Sequence, residues 1–294
     1  MTIDVELVLD ARAELGEAPC WDADAGVLLW VDITAGIVHR TDPLTGHDET
    51  IDVGRAVGSV VPADDGRLAI ATDDGFWFVD PPTGEMEPIA GIDAPAGVVM
   101  NDGKTDPSGR YWAGTKDAEA SHPIGSLYRL DADRTVTEMV GGVTLSNGLG
   151  WSSDGRTMYH IDSTTYGIDA FDTDPASGTI ANRRRLVDLP DGWGLPDGMT
   201  VDEEDFLWVA FWTGSAVRRL DPGGVLVSTV HLPVSLVTSC AFGGVELDEL
   251  YVTTARGVLS EAELHDQRTA GGLFRLRPGL RGSRSSPLAQ PAVG

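Results

Sequence analysis

The stretch "LSNGLGWSSDGRTMYHID", residues 145–162, contains the outline that decides the fold. A polar pair, Asn147 and Gly148, precedes a short apolar segment, an acidic-Gly turn at Asp154 and Gly155, and a second apolar strand. An Asn-Gly pair usually marks a tight hairpin turn, yet a second turn signal follows here within a few residues. Whether Asn147 turns the chain or offers its amide to a ligand depends on where the outline recurs.

The same outline recurs along the whole chain, in residues 15–32, 56–73, 99–116, 195–212 and 237–254. Its turns lie 40 to 50 residues apart, at Gly26, Gly66, Gly109, Gly155, Asp205 and Asp248. A period in the forties with several strands per repeat is typical of a β-propeller with one four-stranded blade per repeat. We therefore predict an all-β, six-bladed propeller of antiparallel sheets. A two-sheet sandwich with a second small domain is the alternative, but it does not explain six copies in one phase.

The repeats also predict the domain boundaries. One propeller domain is expected over residues 1–278, and because the sixth repeat lacks a fourth strand, the N-terminal segment "DVELVLD" is expected to close the ring there. Residues 256–270 interrupt the sixth repeat and are expected to form a loop or short helix over one face. Residues 279–294 contain "GSRSSPLAQPAVG" and are predicted to be a disordered tail.

The charge of the chain excludes two classes of partner. The formal net charge is −25, from 46 acidic and 21 basic residues, and Lys104 and Lys116 are the two lysines. Such a surface repels nucleic acid and anionic lipid, so neither is an expected partner. The acidity fits a halophilic source or a biased genome composition equally well.

The start of the chain, "MTIDVELVLD", has no apolar run of signal-peptide length, and no stretch reaches the length of a membrane span. We expect a soluble cytoplasmic protein. In that compartment the two cysteines, Cys20 and Cys240, are expected as buried thiols rather than as a disulfide.

When the repeats are aligned, polar residues fall at one position in four of them. These residues are Glu17, Asn101, Asn147 and Asp197, while Gly58 and Thr238 take the place in the second and sixth repeats. The first strand of every blade lines the central channel, so these side chains are expected to meet at one end of the axis. Carboxylate and amide oxygens in such a group suit a hard divalent cation. A single Asn-Gly pair would indicate only a turn, whereas four polar residues in phase favour a metal site.

The motifs "LGEAPCWD", "NDGKTDPSGRYWAGT", "LSNGLGWSSDG" and "LPDGMTVD" resemble the gluconolactonase, senescence-marker-protein and luciferin-regenerating-enzyme family, over residues 14–277. The resemblance implies a six-bladed propeller that holds one catalytic divalent cation. It also implies that the protein hydrolyses sugar lactones or related esters. It implies that Glu17, Asn147 and Asp197 are metal ligands and that Asn101 contacts the metal or its water. Asp102 matches a position that contacts either the substrate or the residues behind the ligands, and Glu119 matches one that contacts the sugar hydroxyls in some members.

One departure from the family pattern concerns the substrate. Members often carry Arg two residues before the equivalent of Asn101, where this chain has Val99. A hydroxyl-binding guanidinium is therefore missing, which permits a less polar lactone. Lys104 or Lys116 could replace the cation, although Lys104 equally fits a solvated turn.

The expected reaction is hydrolysis of a small-molecule lactone. The cation, calcium first and zinc, manganese, magnesium or iron(II) otherwise, would polarise the carbonyl while Asp197 or a nearby carboxylate accepts the proton of the attacking water. Trp193, just before Asp197, is expected either to form a wall of the pocket or to pack within its loop. The alternatives are a phosphotriester or aryl-ester hydrolase and a calcium-binding propeller without turnover. The sequence does not indicate the oligomeric state.

Overall fold

A computed structural model describes residues 3–291 and contains six four-stranded antiparallel sheets in these residues. The first strand, β1 (Val5–Leu9), belongs to the last sheet. Blade 1 follows with β2 (Gly16–Asp22), β3 (Val27–Asp32), β4 (Ile37–Asp42) and β5 (His47–Asp52). Blade 2 has β6 (Val57–Pro62), β7 (Leu68–Thr72), β8 (Gly75–Val79) and β9 (Met86–Gly91). Blade 3 has β10 (Val98–Thr105), β11 (Tyr111–Asp117), β12 (Gly125–Leu130) and β13 (Val136–Val143).

The second half repeats this order. Blade 4 has β14 (Ser146–Trp151), β15 (Thr157–Asp162), β16 (Gly167–Thr173) and β17 (Ile180–Asp188). Blade 5 has β18 (Leu195–Val201), β19 (Leu207–Trp212), β20 (Ala216–Leu220) and β21 (Leu226–His231). Blade 6 has β22 (Val237–Gly243), β23 (Glu249–Thr254) and β24 (Leu273–Leu276), and the predicted six-bladed propeller is confirmed.

The ring closes at the N-terminal strand, as predicted. Strand β1 pairs antiparallel with β24, with Val5 opposite Leu276 and Leu7 opposite Phe274. Residues near the two ends of the chain thereby share one sheet, and the sixth blade has four strands like the other five.

The predicted turns carry the backbone conformation that their residues favour. The φ angle is 69° at Gly26, 67° at Gly155 and 65° at Asp205, in the left-handed region that Gly and Asp tolerate best. In blade 6 the positive φ falls on Leu247 rather than on Asp248. The acidic-Gly outline thus marks the turn between the two innermost strands of each blade.

The same side-chain hydrogen bond occurs within two blades that share the sequence outline. The turn residue Asp106 accepts a hydrogen bond from the indole of Trp112, and Asp202 accepts one from Trp208 at the same place in blade 5. Both indoles are fully buried, so each buried N–H has a partner. Cys20 and Cys240 are free, buried thiols, as expected.

A short helix, α1 (Glu261–Asp266), lies in the interruption of the sixth repeat. Ser260 and Glu263 form a capping box at its first turn, which satisfies two backbone donors at the helix start. No helix within residues 3–291 is long and apolar enough to cross a membrane.

The C-terminal segment differs from the expected disordered tail. Residues 279–291 lie across one end of the channel, and their backbone bonds the inner turns of several blades: the amide of Glu203 donates to Arg281, that of Gly282 to Leu247, and that of Leu288 to Pro62. Leu288 is buried. The polar composition suggested disorder, but the backbone groups find partners in blades far apart in sequence. Residues 292–294 of the predicted tail lie outside the described residues.

Candidate metal centre

Asn147 and Gly148 do not form a turn. Both lie within β14, where the register with β15 shifts between Asn147 and Leu149. The ladder between the two innermost strands shifts at the corresponding place in every blade. An extra residue of this kind bends a strand and redirects a side chain. The repeated irregularity therefore places one residue per blade at the same height, and in four blades that residue carries a polar side chain into the cavity.

The glycine that follows the polar residue allows inner strands to approach each other. A Cβ at Gly148 would lie 2.8 Å from the carbonyl oxygen of Asp197, and one at Gly198 would lie 2.0 Å from Ser239 Oγ. Neither position has room for a side chain without displacing the next blade. The Asn-Gly and Asp-Gly pairs thus combine a polar group with close packing of neighbouring inner strands.

The four predicted polar side chains share one cavity of about 170 Å³ at the end of the channel away from the tail. They are nearly buried, with exposed fractions of 3 to 7%: Glu17, Asn101, Asn147 and Asp197. The remaining lining consists of Lys116 and an apolar rim, which we define as Leu15, Leu145, Leu195 and Trp212. Gly58 and Thr238 line no part of this cavity.

Hydrogen bonds orient the two amides. Asn147 donates from Nδ2 to Ser163 Oγ at 2.8 Å, so its Oδ1 is directed inward, where it accepts from Asn101 Nδ2 at 2.7 Å. Asn101 Nδ2 also donates to the carbonyl oxygen of Ser146 at 2.8 Å. Because both amide hydrogens of Asn101 are used, its Oδ1 is the atom left for a ligand.

The negative charges of the two carboxylates in the cavity are destabilised by burial and by neighbouring acids. Burial, then the charges of Asp197 and Asp102, raise the pKa of Glu17 well above its ordinary value. Burial and the charge of Asp102 likewise raise the pKa of Asp197. Lys116 acts in the opposite direction on both. Two buried acids without a nearby ion pair favour either protonation or a bound cation.

The donor set determines which metal could bind. Among residues 3–291 there is no group of three or more His, Cys, Asp or Glu arranged to hold a metal ion, so any metal here depends on the amide oxygens. Glu17, Asn147 and Asp197, with Asn101 beside them, could supply two charged and two neutral oxygens. Oxygen ligands of this kind fit a hard divalent cation.

Lys116 stands on the wall at a position that the register explains. It pairs directly with Val99 in the β10–β11 ladder, and its backbone also bridges to Leu145 of blade 4. Trp212 pairs with Leu195 in the corresponding place of blade 5. Val99 thus stands where family members often carry Arg, and the strand directly opposite it supplies a cation, Lys116.

A family model described as the SMP-30/Gluconolactonase/LRE-like region matches residues 15–256. The chain belongs to this family. It is 38% identical to regucalcin of Danio rerio, over 94% of each chain, and 36% identical to the putative sugar lactone lactonase YvrE of Bacillus subtilis, over 98% of this chain and 99% of that one. A calcium-binding protein, regucalcin from Agrobacterium tumefaciens, superposes with a TM-score of 0.94 at 26% identity, covering 99% of both chains.

Three other predicted site residues lie outside the cavity lining. Asp102 is buried, its Oδ1 accepts from the amide of Gly103, and its Oδ2 has no partner among the described residues. Glu119 is exposed in the loop after β11. Trp193 packs edge-on against Phe211 of strand β19 and does not line this cavity.

The apolar rim is the part of the cavity that the sequence reasoning missed. Its signal is present in the aligned repeats. Leu15, Leu145 and Leu195 each stand two residues before one of the four polar residues that form the floor of the cavity, which are Glu17, Asn101, Asn147 and Asp197. Trp212 has no such signal, because its place depends on its pairing with Leu195.

Proposed function

We propose that this protein is a divalent-metal-dependent hydrolase that opens the ring of a small-molecule lactone. The observation that carries the proposal is the meeting of Glu17, Asn101, Asn147 and Asp197 on the floor of one open cavity. Membership of the SMP-30/Gluconolactonase/LRE-like family supports lactone hydrolysis, as does the likeness to a putative sugar lactone lactonase. The likeness to a protein described as calcium-binding supports a cation such as calcium.

Each floor residue has a role that follows from its contacts. Glu17, Asn147 and Asp197 would hold the cation, and the bond from Asn147 to Ser163 keeps the amide oxygen turned inward. A bound divalent cation would supply Lewis-acid polarisation of the lactone carbonyl, an effect that contributes several kcal/mol in such sites.

Asn101 and Asp197 are the proposed catalytic residues. The free Oδ1 of Asn101 can accept a hydrogen bond from the attacking water and so fix its position. Asp197 is the proposed acceptor of the proton that this water loses, because its carboxylate lines the same cavity as Asn101. The apolar rim excludes bulk water from the reacting carbonyl.

The test combines metal analysis with turnover. Protein treated with chelator and reloaded with calcium, magnesium, manganese or zinc is assayed by pH indicator on a lactone panel. We expect activity only in loaded protein, and a loss of at least about a thousandfold in kcat/KM for both Asp197→Asn and Glu17→Gln. Both variants should also retain less metal by elemental analysis.

Glu203→Gln is the matched control, since Glu203 is an exposed carboxylate at the opposite end of the channel. It should keep wild-type metal content and turnover. Near-wild-type activity of Asp197→Asn in chelator-treated buffer would refute the metal assignment. Turnover of an aryl ester or a phosphotriester in place of every lactone would redirect the proposal to that class.

A further inference from the structure

We propose that Lys116 is a substrate-recognition residue that binds a carboxylate carried by the lactone. This inference rests on the proposed function, and it specifies the substrate class. The juxtaposition behind it is a single cation beside the catalytic floor, within walls that are otherwise apolar.

The first argument is that Lys116 has no hydrogen-bond or salt-bridge partner in the part of the chain that the structure describes. Within residues 3–291 its ammonium makes no hydrogen bond and has no carboxylate within 4.0 Å, although the chain has 46 acidic residues. The other lysine, Lys104, donates to two backbone carbonyls. A half-buried ammonium that lacks a partner loses part of its hydration, and an ion pair with an anionic ligand group compensates for that loss.

The second argument is that the Lys116 backbone is fixed on both sides. Its strand pairs with Val99 on one side and bridges to Leu145 on the other. A lysine on a loop would have to be ordered when a ligand binds. Here only the side-chain torsions remain to be fixed, so more of the ion-pair energy contributes to binding.

The third argument concerns the rest of the wall. The rim offers Leu15, Leu145, Leu195 and Trp212, and none has a free side-chain acceptor. A polyhydroxylated sugar would leave several hydroxyls without partners against these side chains, and each unpaired hydroxyl weakens binding. A hydrocarbon ring with one carboxylate instead matches four apolar side chains and one cation.

The experiment compares two lactones of the same ring size. In 5-oxotetrahydrofuran-2-carboxylate the ring carries a carboxylate, and in γ-valerolactone a methyl group takes that place. The metal-loaded wild type should prefer the carboxylate by about tenfold or more in kcat/KM, since a hydrogen bond to a charged group contributes this much. Lys116→Met should bring the ratio near one, mainly by raising KM for the carboxylate compound.

Arg134→Met is the control for net charge, because Arg134 is an exposed cation on the outer turn of blade 3. It should leave the ratio at its wild-type value. A binding measurement accompanies the kinetics: calorimetry with 2-hydroxyglutarate, the ring-opened product, should show weaker binding to Lys116→Met, with little change for 4-hydroxypentanoate.

The outcomes separate the two proposals. If the wild type opens both lactones equally, or prefers γ-valerolactone, the role of Lys116 is refuted while lactone hydrolysis stands. If no lactone is opened with any metal, the proposed function fails, and the calorimetric difference alone decides whether Lys116 recognises a carboxylate. An equal loss of ratio in Arg134→Met would also refute it, because the effect would then be long-range charge.

Discussion

The two ends of the central channel are built by the same strands and contain the two lysines of the chain. Strands β10, β14 and β18 supply Asn101, Asn147 and Asp197 to the cavity end and then run to the tail end. At the tail end Lys104 Nζ donates to the carbonyl oxygens of Met199, at 2.6 Å, and Leu149, at 3.3 Å. At the cavity end Lys116 has no such partner among the described residues.

The difference separates groups that stabilise the fold from groups left for a ligand. Lys104 joins blades 4 and 5 through their carbonyls, and residues 283–286 cover it. Within residues 3–291 Lys116 makes no hydrogen bond, and Glu17 accepts one only from the amide of its neighbour Ala18, while burial raises the pKa of both floor acids. Buried or half-buried charged groups with so few partners occur where ligand binding compensates for their cost.

The largest test of this contrast replaces each lysine by methionine. Lys104→Met should lower the free energy of unfolding by about 3 kcal/mol, because two carbonyls lose their donor and buried Asp102 loses a nearby cation. Lys116→Met should change it by less than about 0.5 kcal/mol, as expected where no bond is broken. Urea denaturation of the metal-free proteins measures both, and equal losses would contradict the contrast.

The sequence predicted the parts of the molecule that repeat. The six turns, the closing strand β1 and the polar floor follow from local patterns that recur in phase, and such patterns need no knowledge of distant contacts. The roles of Glu17, Asn101, Asn147 and Asp197 as ligands stay predictions, while their meeting in one cavity is a feature of the structure.

The parts that were not predicted depend on pairing between distant residues. Trp193 lies close to Asp197 in the sequence, but Trp212, opposite Leu195 in the β18–β19 ladder, lines the cavity instead. Residues 279–291 read as a polar tail, yet they are held by backbone groups from several blades. Neither contact has a signature in the nearby sequence.

A second test uses pH on the support of the cavity floor. His160 is buried, its Nε2 lies 2.9 Å from Ser146 Oγ, and the carbonyl of Ser146 holds Asn101. Burial lowers the pKa of His160 from 6.5 to about 4. The unfolded chain therefore binds a proton that the folded chain does not, and stability is lost as pH falls from 6.5 toward 4.

The expected loss from His160 is about 2 kcal/mol between about pH 7.5 and about pH 5. Urea denaturation at the two pH values measures it, and His160→Gln, which keeps a polar group near Ser146, should remove this part of the pH dependence. An unchanged slope in the variant would mean that other groups cause the acid sensitivity. In that case protonation of His160 would not weaken the contacts that position Asn101 on the cavity floor.

The smallest change in the free energy of unfolding is expected for an exposed ion pair between the tail and blade 1. Arg284 pairs with Asp24, but both side chains are largely exposed, at 60% and 81%. Arg284→Ala should therefore cost less than about 0.5 kcal/mol, and less still in high salt. Leu288→Ala should cost about 2 kcal/mol because it empties a buried site.

These two variants decide what holds the tail over Lys104. If Leu288→Ala but not Arg284→Ala increases amide hydrogen exchange in residues 283–291, apolar burial and backbone bonds hold the tail end closed. The reverse order would assign the closure to the surface ion pair. The closure of the tail end over Lys104 would then weaken as the salt concentration rises, because surface ion pairs are screened. The contrast with the open cavity end at Lys116 would weaken with it.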